Sequence, residues 1–131
     1  MNPNDLAWWK VEYNSGIPVY RQIINQAAAA VAAGAFKPGD QLPTIRALSG
    51  HLSVNPNTIV KAYRELELKG IIISERGSGS FIQGQPPVPP PPEKKAKLET
   101  LYHRLLGDAA SSGVSETELL TYIKERKAQA I

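Results

Sequence analysis

The 131-residue chain is 42% hydrophobic and 21% charged, with a formal net charge of +3 and no cysteine. That length admits one ordinary domain or two small ones and excludes a large catalytic domain; the composition excludes wholesale disorder, and the missing cysteines exclude disulfides, thiolate metal sites and a cysteine nucleophile. The small basic excess is compatible with nucleic acid without requiring it, so the placement of particular cations carries the information.

In chain order, the segment from Met1 to Tyr13 is polar before any apolar run, and AAAAVAAGAF is too short and too rich in alanine to span a bilayer. Neither export nor membrane insertion is expected, which reads as cytoplasmic. Trp8, Trp9 and Tyr13 are read as an extension packed on the following domain, with base stacking as the alternative. Pro18 opens a first helix in which Val19, Ile23, Ala27, Ala30 and Val31 share a face, and Gly34 ends it. KPGDQ is a turn. A short second helix follows, with Ile45, Leu48 and Leu52 at spacings of three and four.

The third helix starts at SVNPNTIVKAY. Asn55 is placed to cap it and Pro56 suits the first helical position, while Ile59, Ala62, Tyr63 and Leu66 form the buried stripe and Gly70 supplies the stop. Its first turn carries Asn57 and Thr58 where an acid would complement the positive end of the helix dipole, with Lys61 one turn on. Such a terminus is open to an anion from outside the chain. Two short strands follow, Ile71 to Glu75 and Ser80 to Gln83, joined by a Gly-Ser-Gly tip. Three helices and a hairpin are the winged helix-turn-helix order, which points Asn57, Thr58 and Lys61 toward a DNA major groove.

Most of the chain's 11 prolines fall between Pro86 and Pro92. This run is read as an extended, semi-rigid spacer of about 20 Å rather than as a ligand for an SH3-like domain. The expected organisation is therefore a head over 1–84, a linker over 85–93 and a helical tail over 94–131. In the tail, Leu98, Leu101, Tyr102, Leu105 and Leu106 make an apolar stripe on a helix expected to end near Gly107. Ser115 and Glu118 have capping-box spacing at the start of a second helix, which carries Leu119, Leu120, Tyr122 and Ile123. Two helices of that length cannot bury this surface alone, so they need either the head or a second copy of the chain. The fold class is mainly α with a small β-hairpin: a winged helix-turn-helix domain followed by a short two-helix segment.

PVYRQI, KPGDQLPTIRALSGHLSVNPNTIVKAYRELELKGII and RGSGSFI, in that order and spacing, resemble the DNA-binding domain of the GntR family of bacterial transcription regulators, and the short helical tail resembles its YtrA-type subfamily. The resemblance implies a homodimeric winged-helix repressor on a two-fold symmetric operator of double-stranded DNA, and by subfamily, control of a neighbouring transporter operon. It carries over Arg46 as a DNA contact, in LPTIR with Thr44 in the serine place of the family motif. Asn57 and Thr58 match the asparagine-threonine pair of the recognition helix, with Lys61 beside them, and Gly77, Ser78 and Gly79 match the wing tip. Pro56 and Val60 stand where many relatives carry arginine, and Ser78 where a basic wing residue is common.

A similar head also precedes a pyridoxal-phosphate domain in some regulators, for which 131 residues leave no room, so no cofactor is expected. His51 and His103 are too far apart in sequence to suggest a metal pair, and no metal is expected. Nothing in the sequence forms a Ser-His-acid set or a phosphate loop, so no enzyme is expected. Dimerisation is assigned to Leu98, Leu101, Leu105, Leu106, Leu119 and Ile123. The alternative is a winged-helix adaptor that docks a protein on this stripe and leaves Arg46 and Lys61 as solvated surface charges.

Overall fold

The computed structural model describes residues 2–129 of a chain that divides into two units, 1–87 and 88–131. In the first, α1 (Val19–Ala32), α2 (Ile45–Leu52) and α3 (Pro56–Leu68) precede β1 (Ile72–Glu75) and β2 (Gly79–Ile82). This is a winged-helix domain, and the sequence pattern locates each element to within about a residue or two. α1 and α2 both pack on α3. Ile23 and Ala27 of α1, Leu48 of α2, and Ile59, Ala62 and Leu66 of α3 are all fully buried at that junction. Each leucine or isoleucine there contributes about 1.5–3 kcal/mol by leaving water, and the alanines let the helices approach closely.

The ends of α3 follow from local chemistry. The Asn55 side chain accepts from the Asn57 N–H (2.8 Å), and Pro56 occupies the first helical position. At the far end Gly70 takes φ +77°, which lets the Ile71 N–H return to the Leu66 carbonyl at 3.0 Å and turns the chain into β1. β1 and β2 pair antiparallel with Ile72 opposite Ile82 and Glu75 opposite Gly79. Gln41 bridges to Phe81 on the other edge of β2, and the Leu42 N–H donates to the Ser80 carbonyl (2.9 Å). The segment before α2 thus covers one edge of the hairpin and ties it to the helices.

The N-terminal extension packs on this core. Trp9 is 1% exposed, its Nε1–H donates to the Pro3 carbonyl at 2.8 Å, and Trp8 stands edge-on to it with ring centroids 4.9 Å apart. Both indoles meet Phe36, at 4.6 and 5.9 Å. The Tyr13 hydroxyl donates to the Leu52 carbonyl. The intervening main chain is held by two glutamines one turn apart on α1. The Gln22 amide gives and takes a hydrogen bond with the Glu12 backbone (both 2.8 Å), and the Gln26 amide does the same with Lys10 (2.6 and 3.1 Å). Each primary amide stands in for the peptide group of a neighbouring strand.

The second unit holds α4 (Pro91–Ser111) and α5 (Glu116–Gln129). α4 begins inside the expected spacer because Pro91 and Pro92 fall in its first turn, where a missing N–H breaks no helical hydrogen bond. It also runs through Gly107 rather than ending there. A single helical glycine costs only about 1 kcal/mol, and the stop comes at Gly113, with φ +78°. The capping box of α5 is formed: the Glu118 N–H donates to the Ser115 hydroxyl and the Ser115 N–H to the Glu118 carboxylate, both at 3.1 Å. The bond from the Ser115 N–H holds the Glu118 carboxyl below its ordinary pKa. The Tyr102 hydroxyl donates to Glu116 Oε1 (3.2 Å) across the two helices.

No residue of α4 or α5 is buried. Leu106 and Leu119 are half-buried against each other's helix, while Leu98, Leu101, Leu105 and Ile123 stay exposed. A hollow of about 120 Å³ remains between the helices, lined by Leu105, Leu106, Leu119 and Ile123 among others. Among the described residues no helix is long and apolar enough to cross a membrane.

Candidate nucleic-acid interface

The start of α2 and the turn of the hairpin meet on one side of the head, with Tyr63 of α3 in the groove between them and Arg64 of α3 beside Ile45, Ser74 and Ser80. Thr44 caps α2, its Oγ1 accepting from the Ala47 N–H at 3.0 Å, so its hydroxyl hydrogen remains available to an outside acceptor. Arg46 lies in the first turn of that helix and is exposed. On α3, the buried face of Ile59, Ala62, Tyr63 and Leu66 turns Asn57, Lys61 and Arg64 outward at spacings of four and three. Thr58 sits off that stripe and is half-buried, so it lies at the edge of the face and Asn57 at its centre.

The hairpin turn is held toward α2. The Gln41 Nε2 donates to the Ser78 carbonyl at 3.0 Å, and a Cβ on Gly79 would fall 2.9 Å from that same nitrogen. Gly77 and Gly79 take φ of +82° and +113°, and the Ser78 N–H closes the turn on the Glu75 carbonyl at 3.0 Å. Between this tip and the start of α2 runs a groove of about 330 Å³, lined by Pro43, Thr44, Ile45, Tyr63, Ser78 and Gly79 among others. Thr44 and the wing tip, far apart in sequence, therefore share one concavity.

Tyr63 is the strut beneath it. Its hydroxyl donates to the Pro43 carbonyl at 2.8 Å, and burial pushes its pKa well above the ordinary tyrosine value. Tyr63→Phe leaves that carbonyl without its donor and is expected to lower unfolding stability by about 1–3 kcal/mol in denaturant titration. The sign with pH also follows. The folded state retains a proton that unfolded tyrosine releases near pH 10, so this contribution is complete below about pH 10 and is lost as pH rises toward the folded value. The alkaline limb of a stability profile should flatten in Tyr63→Phe.

Among the described residues, Arg46, Lys61, Arg64 and Arg76 form no salt bridge, whereas Arg21, further along α1's side of α3, is held by Glu65 at 3.4 Å. The first two turns of α3 contain no acid. Sequence reasoning missed two of these cations. Arg64 follows Lys61 by three and Asn57 by seven, so extending the outward stripe by one turn finds it. Arg76 directly precedes the glycine tip, an exposed position that the tip itself signals.

Residues 19–82 match the family model described as bacterial regulatory proteins, gntR family. The HTH-type transcriptional repressor YtrA of Bacillus subtilis (strain 168) is 37% identical over 116 residues, 88% of this chain and 89% of that protein, a span that takes in tail as well as head. Among solved structures, YtrA from Sulfolobus acidocaldarius, a GntR-family transcription factor, is 32% identical with a TM-score of 0.59, covering 74% of this chain and 95% of that one. A transcriptional antiterminator from Listeria monocytogenes EGD-e gives a TM-score of 0.73 at 31% identity, covering 91% and 89%. On this sequence match over nearly the whole chain, and on the winged-helix head that it encodes, the chain belongs to the GntR family of DNA-binding transcription regulators.

Proposed function

We propose that the protein is a repressor that binds a two-fold symmetric operator as a homodimer, with α3 in the major groove and the hairpin tip approaching the minor groove. The observation that carries this reading is the exposed stripe of Asn57, Lys61 and Arg64 on α3, with Arg46 and Arg76 also exposed and, among the described residues, none of the four cations held in a salt bridge. Unpaired cations around an exposed helix suit phosphates, and an exposed amide at the start of that helix suits an adenine edge. The glycines of the tip bring main chain close to a backbone without a side chain in the way. The likeness to YtrA of Bacillus subtilis, a protein named as a repressor, supports the sign of regulation. The subfamily resemblance extends the proposal to a transporter operon near the protein's own gene.

Selection of bound duplexes from a random pool tests the reading and yields the operator. A palindromic consensus is the expected result, and recovery of no enriched sequence would defeat it. On the selected duplex, Arg46→Ala and Lys61→Ala should each weaken binding while leaving the melting temperature nearly unchanged, because both side chains lie outside the core. A phosphate contact reduces affinity on every sequence and lowers the salt slope by about one, whereas a base contact costs roughly 1–3 kcal/mol and relaxes one operator position. Alanine at Asn57 and Thr58 together should narrow the ratio of specific to non-specific binding more than it lowers overall affinity. Measuring both at one salt concentration decides the matter, and an unchanged ratio removes these two residues from base readout.

A further inference from the structure

We infer that Tyr20 is a positioning residue that holds the Lys61 ammonium in place for DNA, an inference that rests on the reading of Lys61 as a DNA contact. The Lys61 Nζ lies 3.9 Å from the centroid of the Tyr20 ring, well within the distance at which a cation is attracted to an aromatic face. The ring is itself fixed: Tyr20 is half-buried in the first turn of α1 and packs on the hydrophobic core. The other cation nearby does not compete for the same place. Arg21 stands 5.4 Å from the ring centroid and is tied to Glu65 by a 3.4 Å ion pair.

Lysine on an exposed helix face samples many rotamers, and freezing it on a ligand loses that freedom. A ring beneath the ammonium removes part of this loss before DNA arrives. It leaves donors on the far side of the ammonium free for a phosphate or base oxygen, since the aromatic face engages one side only. The packing of α1 against α3, which brings Tyr20 under Lys61 from 41 residues away, thereby becomes part of the binding surface.

The test combines a double-mutant cycle on the selected operator with proton NMR of the free protein. Tyr20→Leu is expected to weaken binding roughly two- to five-fold in the wild-type background and to add nothing in the Lys61→Ala background, while Tyr20→Phe stays close to wild type. In the free protein the Lys61 side-chain methylene protons next to Nζ should show an upfield ring-current shift, kept in Tyr20→Phe and lost in Tyr20→Leu. This measurement on the wild type and Tyr20→Phe stands even if Tyr20→Leu folds poorly. A loss in Tyr20→Phe equal to that in Tyr20→Leu would assign the effect to a hydroxyl contact with DNA and overturn the inference. So would an equal loss from Tyr20→Leu with and without Lys61, or the absence of the ring-current shift. If Lys61→Ala binds like wild type while the shift is present, the DNA role of Lys61 is what fails, and the positioning role falls with it.

Discussion

Cutting the chain before Pro86 is expected to leave a folded, monomeric head that binds half-sites weakly. The folding part follows from where the core lies: no described residue beyond Ile82 is buried, so removal of α4 and α5 takes no buried side chain away. The loss of the dimer follows from the opposite condition in the tail, where Leu98, Leu101, Leu105 and Ile123 remain exposed and neither helix has a buried residue. Two helices with that surface have too little chain to cover it, and in the proposed homodimer a second copy would supply the missing half through a self-complementary contact. With two heads tethered, the second binds at a high effective concentration, so separating them should reduce apparent affinity for the full operator by roughly 10²-fold or more. Glutamate at both Leu101 and Leu105 in the full chain should have the same effect. Sedimentation and operator titration check both variants. If the truncated head still sediments as a dimer and binds the full operator like wild type, the tail is not the dimerisation element.

Trp9→Ala should be the most damaging single substitution in the head. It removes an indole that is 1% exposed, abandons the hydrogen bond to the Pro3 carbonyl and strips Trp8 and Phe36 of an aromatic neighbour. Deleting a buried aromatic of this size costs about 3–5 kcal/mol, which for a domain of this length lowers the melting temperature by more than about 12 °C. Trp8→Ala, at a half-buried position on the rim of the same cluster, should cost clearly less. Calorimetry on both variants measures the difference, and equal losses would mean that the extension is held by something other than the Trp9 anchor.

The head was largely legible because its signals are local and mutually consistent. Asn55, Pro56 and Gly70 mark both ends of α3, and four apolar residues at helical spacing mark its inner face. The start of α4 and its passage through Gly107 were harder to read, since proline and glycine are ambiguous at helix ends. The same residues that suggest a linker are tolerated in a first turn, and one glycine costs too little to stop a long helix. The proposed DNA-facing surface was legible in part. Asn57 and Lys61 belong to a short motif, whereas Arg64 and Arg76 are recognisable as members of the site only when the wing and α2 are seen on the same side. The link between Tyr20 and Lys61 is a tertiary contact between helices, and no local pattern announces it. Nor does any pattern distinguish Gln22 and Gln26 from other polar residues on a helix.

Those two glutamines grip main chain, so Lys10 and Glu12 contribute peptide groups to the clasp and no chemistry of their own. Mutational drift at these two positions should therefore be broadly silent, with proline excluded because it removes the N–H that each amide receives. Neutral amides also carry no charge for ions to screen or protons to titrate. The tryptophan anchor should stay docked in brine that strips the protein from its operator, giving a regulator whose grip on DNA can be erased by ionic strength while its architecture is left standing.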